Sequence, residues 1–113
     1  MKVVVLGLVV AALAACGSSK DCPNDLPSSC PSPAPSYSTA ISPVISAYCL
    51  ACHSPGGQEA VIPFTSYQSI YIERSPILDQ VYACNMPPTG TLQLTAQERT
   101  QLLGWLVCGA PNN

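Results

Sequence analysis

The sequence predicts an all-α domain of three to four short helices. Three observations carry that reading. Ile41, Val44, Ile45 and Tyr48 recur at i, i+3, i+4 and i+7, which is one face of a helix. Helix-start signals recur along the chain, at Ser42-Pro43, Ser75-Pro76 and Thr95-Ala96-Gln97-Glu98. No segment shows the sustained period-2 alternation of a half-buried strand.

Taken in order, the first helix carries the Ile41–Tyr48 stripe, with Ser42 as N-cap and Pro43 at its first position, or with a start one turn earlier. Ser54-Pro55-Gly56-Gly57 ends it, and a loop runs to about Phe64. Thr65 or Ser66 caps a second helix bearing Tyr67, Ile70 and Tyr71. Ser75-Pro76 opens a third with Ile77, Leu78, Val81 and Tyr82. Pro87-Pro88-Thr89-Gly90 is a loop. Thr95 and Glu98 form a capping box, after which Leu102, Leu103, Trp105 and Leu106 lead to Cys108. Gly109 and Pro111 stop this last helix.

The chain has 113 residues, enough for one small domain. Of residues 1–15, all but Lys2 and Gly7 are apolar. Without them the hydrophobic fraction falls from 48% to about 42%, ordinary for a water-facing domain. The positive mean hydropathy thus comes from the leader. Lys20, Arg74 and Arg99 face six acidic residues, a balance unsuited to gripping a phosphate backbone, so no nucleic-acid partner is expected. One Phe and one Trp make a thin core, and a domain of this size needs a staple. Seven cysteines suggest several.

Lys2 and the apolar run Val3 to Ala12 read as the n- and h-regions of an export signal, too short to cross a bilayer. Leu13-Ala14-Ala15-Cys16 resembles the lipobox of bacterial lipoproteins, which implies cleavage before Cys16 and lipidation of its thiol. Several acyl chains would give stable anchoring at ~0.8 kcal/mol per buried CH₂. Gly17, rather than Asp, follows Cys16, and by the same resemblance this points to the outer membrane, facing the periplasm. Residues 16–37 then form a Pro/Ser-rich tether with Pro23, Pro27, Pro31, Pro33 and Pro35, and 38–113 the folded domain.

Cys49-Leu50-Ala51-Cys52-His53 is the Cys-x-x-Cys-His pattern of covalent c-type haem attachment. On a helix, positions i, i+3 and i+4 share a face, so both sulfurs and the imidazole point one way. The thiols can then form thioethers with the two vinyl groups, and His53 meets the iron. A thioredoxin-like redox pair would need a βαβ scaffold. Structural zinc would need distant cysteines, since His53 is the sole histidine. A plain disulfide is the remaining competitor. The single histidine also excludes bis-His ligation of an iron. Met1 leaves with the leader, so Met86, in Asn85-Met86-Pro87-Pro88, is the candidate sixth ligand; gap-filling in the core is the competing role.

Cys22, Cys30, Cys84 and Cys108 remain, and an exported chain favours pairing them. Three connectivities are possible. The expectation is a local Cys22–Cys30 loop and a Cys84–Cys108 bridge tying the segment before Met86 to the last helix.

The stretch from about Tyr37 to Pro111 resembles small class I cytochromes c, especially single-haem bacterial lipoproteins of myxobacterial type. The resemblance rests on the helix before Cys49, the Cys-Leu-Ala-Cys-His core, Ser54-Pro55-Gly56-Gly57, Asn85-Met86-Pro87-Pro88 and the last helix through Trp105 to Pro111. It implies a cytochrome c-like fold in which first and last helices cross beside one haem c, with His53 and Met86 as axial ligands. It further implies a backbone carbonyl, of Pro63 or else Pro55, accepting the proton of the His53 ring. Arg74 or Tyr71 is a candidate for a haem propionate, with a solvated Arg74 the alternative, and Trp105 for packing on the haem or first helix. The short connection from His53 to Met86 departs from the pattern and implies an exposed haem edge.

The function expected is one-electron transfer with redox proteins of the envelope or respiratory chain. Gas binding or sensing is the alternative if Met86 is labile, and a haem-free, disulfide-stapled lipoprotein with an interaction role is a third. Catalysis is not expected: only one attachment motif exists, and the sole histidine is committed.

Overall fold

A computed structural model describes residues 21–113; Cys16 and the export signal lie outside the described residues. The described chain is helical and contains no strand. A π-helical turn, Tyr37–Ile41, runs straight into α1, Ser42–Tyr48. Three further helices follow: α2, Tyr67–Ile72; α3, Arg74–Tyr82; and α4, Ala96–Val107.

The first helix begins a turn before Ser42. Ser36 is the N-cap, its hydroxyl accepting from the Thr39 amide at 3.3 Å. The Ile41 amide then donates to the Ser36 carbonyl at 3.1 Å, an i→i+5 bond. Pro43 has no N–H for the Thr39 carbonyl and would crowd it in a regular turn; the widened turn makes room. The second cap is Ser66, which exchanges hydrogen bonds with Ser69. For α3 the expected Ser75 cap is not used. Glu73 both ends α2 and opens α3, so the chain enters α3 through a bend with no side-chain cap, and Pro76 falls in the first turn, where an N–H would be unpaired anyway. The Thr95–Glu98 capping box forms as the sequence indicates, and Gly109, at φ 84°, ends α4.

α4 is the spine. The π-helical turn and α3 both pack on it, and α2 packs on α3. Leu102, Leu103, Trp105 and Leu106 of α4 meet Ile41, Val44 and Ile45 of the first helix, with Ile70, Ile77 and Val81 completing the core. Trp105 is fully buried, its indole N–H donating to the Pro111 carbonyl at 2.9 Å and its ring stacked on Tyr37 at 5.7 Å.

Both disulfides depart from the expected pairing. Cys22 bonds Cys84 and Cys30 bonds Cys108, in place of Cys22–Cys30 and Cys84–Cys108. Their separations of 62 and 78 residues make them long-range staples. The reason is that residues 21–36, read from composition as tether, lie fastened along the domain: Asp25 pairs with Arg99, and Pro31 and Pro35 cover Gly104 so closely that a Cβ there would lie 3.1 Å from the Pro31 ring. A segment held at both ends against α3 and α4 presents Cys22 and Cys30 to those helices rather than to each other.

Candidate functional site

Cys49 is the C-cap of α1, so the Cys-x-x-Cys-His run starts where the helix ends. It does not continue the helix, as the spacing argument assumed, but keeps one helical turn of its own. The His53 amide donates to the Cys49 carbonyl at 2.9 Å and the Cys52 amide to the same oxygen at 3.2 Å. That turn preserves the i, i+3, i+4 relation, and Cys49, Cys52 and His53 all reach one cavity.

The loop after the motif folds back beneath it. Glu59 N–H donates to the Cys52 carbonyl at 2.9 Å, and Phe64 N–H to the His53 carbonyl at 2.8 Å. Gly57 passes so close that a Cβ would fall 2.3 Å from the Cys52 oxygen. The loop fixes the imidazole twice. Nδ1 of His53 is 2.9 Å from the Ile62 carbonyl, and the ring stacks on Phe64 at 4.3 Å. The carbonyl is thus that of Ile62, and neither Pro63 nor Pro55 supplies it. The reason is geometric: Pro63 follows the accepting carbonyl and turns the chain so that Phe64 comes under the ring. With Nδ1 donating, Nε2 keeps its lone pair for a metal.

Met86 comes from the turn after α3, its amide and that of Asn85 both donating to the Gln80 carbonyl at 3.1 and 2.9 Å. It lines the same cavity, of about 500 Å³, as do Ile77, Val81, Leu94 and Leu102. That size suits a drug-sized or cofactor-sized ligand. Two thiols, an imidazole nitrogen and a thioether face the cavity, with Gln58, Glu59, Glu73 and Gln80 also in walls that are otherwise mostly apolar.

Electrostatics discriminate among uses for the thiols. Neither Cys49 nor Cys52 is in a disulfide. Burial, then the neighbouring Cys52, pushes the Cys49 thiol up to about 11. A redox-exchange cysteine needs the opposite, a stabilised thiolate in a polar setting. Nor is there, among the described residues, a cluster of three or more His, Cys, Asp or Glu able to hold a metal ion in the manner of a structural zinc site.

Several sequence candidates lie elsewhere. Arg74 stands over the Tyr71 ring at 4.1 Å and donates to the Tyr71 carbonyl at 2.8 Å; neither residue lines the cavity. Trp105 packs on the π-helical turn and is not in the cavity wall. Sequence reasoning passed over Phe64, whose only signal is that it is the one Phe, and Arg99, which carries no motif. No family model, curated protein or solved structure matches this chain.

Proposed function

We propose that this chain is a monohaem c-type cytochrome, a one-electron carrier of the bacterial cell envelope. One observation carries the reading: Cys49, Cys52, His53 and Met86, the four residues such a group requires, all line a single apolar cavity. Cys49 and Cys52 would hold the porphyrin as thioethers, and His53 and Met86 would ligate its iron. Bound there, the group supplies a reversible Fe(III)/Fe(II) couple, with methionine ligation favouring a higher potential than two nitrogens. The protein's part is to orient and enclose. Ile62 and Phe64 fix the imidazole, and Ile77, Val81 and Leu102 exclude water. The cytochrome c fold, the lipid anchor at Cys16 and an outer-membrane site facing the periplasm belong to the same reading. Among the described residues no helix is long and apolar enough to cross a membrane. The acidic balance suits redox partners with a basic patch, which speeds encounter more than it tightens binding.

The test is a spectrum of the full chain expressed with c-type maturation machinery. A covalent chromophore with a c-type reduced α-band, and a weak far-red band in the oxidised form that Met86→Leu abolishes, supports electron transfer. Carbon monoxide binding at neutral pH in native protein shifts the reading to gas binding. A colourless chain at the mass of polypeptide plus lipid ends the haem reading and leaves a stapled lipoprotein.

A further inference from the structure

Met86 divides two spaces. One is the candidate site; behind it lies a smaller recess of about 300 Å³ bounded by Pro23, Cys84, Leu94 and Arg99. A flexible thioether between two hollows needs something to keep it on one side.

The elements around the recess supply it. The turn bearing Met86 hangs on the last turn of α3, whose carbonyls have no partner within the helix. Arg99, from α4, reaches across and donates to two of them, the Val81 carbonyl at 2.6 Å and the Tyr82 carbonyl at 3.2 Å. Its remaining donors close a two-pronged pair with Asp25, Nε to Oδ2 at 2.8 Å and Nη2 to Oδ1 at 2.9 Å. The Arg99 side chain is only 11% exposed. Just before Asp25 the same stretch of chain is fixed twice more, Asn24 by the Tyr82 hydroxyl at 2.5 Å and Cys22 by its bond to Cys84, two residues before Met86.

We infer that Arg99, gripped by Asp25, is a positioning residue for Met86: it locks the N-terminal segment over the recess and keeps the thioether facing the candidate site. The inference rests on the haem reading for what Met86 does there, but the lock itself is a property of the polypeptide. Loosening it gives Met86 a second place to go and would free the iron position that Met86 holds in the haem reading, without touching Cys49, Cys52 or His53.

The test uses the full matured chain with Asp25→Asn, Arg99→Gln and Arg99→Lys. Covalent haem and the reduced α-band stay as in the parent, because the attachment face is untouched. In Arg99→Gln and Asp25→Asn the far-red band of the oxidised form weakens, carbon monoxide enters at least about tenfold faster, and the Asn85 and Met86 amides exchange at least about tenfold faster. Arg99→Lys recovers part of the band, since a point charge cannot hold both prongs and both carbonyls. A variant that only melts earlier, with parent-like band and exchange, overturns the inference. Should Arg99→Gln not fold, Asp25→Asn decides alone, since it keeps the disulfides and the side-chain volume. Should the parent carry no haem, the functional reading fails, and amide exchange in the haem-free Asp25→Asn chain still decides the lock.

Discussion

The phenolic hydroxyl of Tyr48 donates to Oε2 of Glu98 across 2.7 Å, joining the last residue of α1 to the first turn of α4. The same oxygen accepts from the Thr95 amide at 2.9 Å and the Thr95 hydroxyl at 2.8 Å, so one carboxylate both caps α4 and ties it to α1. The Tyr48 bond, then those from Thr95, hold the Glu98 carboxyl below its ordinary value; the carboxylate in turn raises Tyr48. The signs define a window. Stability from Glu98 is full above its unfolded value of about 4.3 and is lost as pH falls through the lowered folded value. Stability from Tyr48 is full below about 10 and is lost as pH rises through its raised folded value. Tyr48→Phe is therefore expected to lower the thermal midpoint near pH 7, with the gap from the parent narrowing toward pH 3. A gap that stays constant from pH 7 to pH 3 contradicts the coupling.

The disulfide topology makes a prediction about fragments. Trypsin cuts after Lys20, Arg74 and Arg99, separating Cys22 and Cys30 from Cys84 and both from Cys108. With Cys22–Cys84 and Cys30–Cys108, residues 21–113 stay one covalent assembly of three peptides until reduced. The pairing expected from sequence would release 21–74 alone. A second cut before Asp25 separates Cys22 from Cys30 and assigns each partner by mass. Each bridge closes a long loop, so removing either as a double Ser variant is expected to cost about 4 kcal/mol by the chain-entropy estimate.

What was legible in the sequence was local. The Thr95–Glu98 box, the Ser66 cap and the Gly109 stop depend on bonds between residues three to five apart, and each formed where the residues indicated. So did the convergence of Cys49, Cys52 and His53, which one helical turn enforces. Met86 was reached by elimination rather than geometry, and the cavity brings it to the same walls. One local reading failed, the Ser75 cap, because Glu73 serves both α2 and α3; most of what could not be read depends on contacts 60 to 80 residues apart. Proline content marked 21–36 as a segment without helix or strand of its own, and it is coil and bends, but composition says nothing of what such a segment lies against. Arg99–Asp25 and the two bridges decide that, and neither has a spacing signature. The Ile62 carbonyl, only nine residues from His53, was missed for another reason: every residue has one, and only the loop's path selects it.

Two adjacent glycines are expected to behave differently. At Gly57 an added Cβ would lie 2.3 Å from the Cys52 oxygen and 3.0 Å from that of Ala51, both backbone atoms with nowhere to go. At Gly56 nothing lies within 4 Å, but φ is 86°. Gly56→Ala therefore costs only the left-handed backbone, about 1–2 kcal/mol, and leaves the motif in place. Gly57→Ala must push the loop off the Cys-x-x-Cys-His turn, an overpacking cost of about 1–3 kcal/mol, and, if the proposed haem is what the motif holds, it lowers the yield of covalently loaded protein. Urea midpoints for both variants, read beside the haem-to-protein ratio, separate the two effects. Equal loading in the two variants would show that the Gly57 contact does not shape the motif.

Phe64 gives the last test, because it serves the core and the site through different atoms. It is 92% buried and packs with the core, while its flat face lies 4.3 Å from the His53 ring, at an interplanar angle of 18°. Phe64→Ala removes both roles and is expected to cost about 3–5 kcal/mol. Phe64→Leu keeps most of the apolar fill and removes only the flat face, so its cost should be near the 0.5–1.5 kcal/mol typical of an aromatic pair, about 1 kcal/mol. The Ile62 carbonyl still fixes Nδ1 in that variant, but the ring is free to rock about the hydrogen bond. The His53 ring resonances of Phe64→Leu should therefore broaden or shift while those of the α4 core stay put. If they match the parent, the hydrogen bond alone orients the imidazole and the stacking is incidental packing.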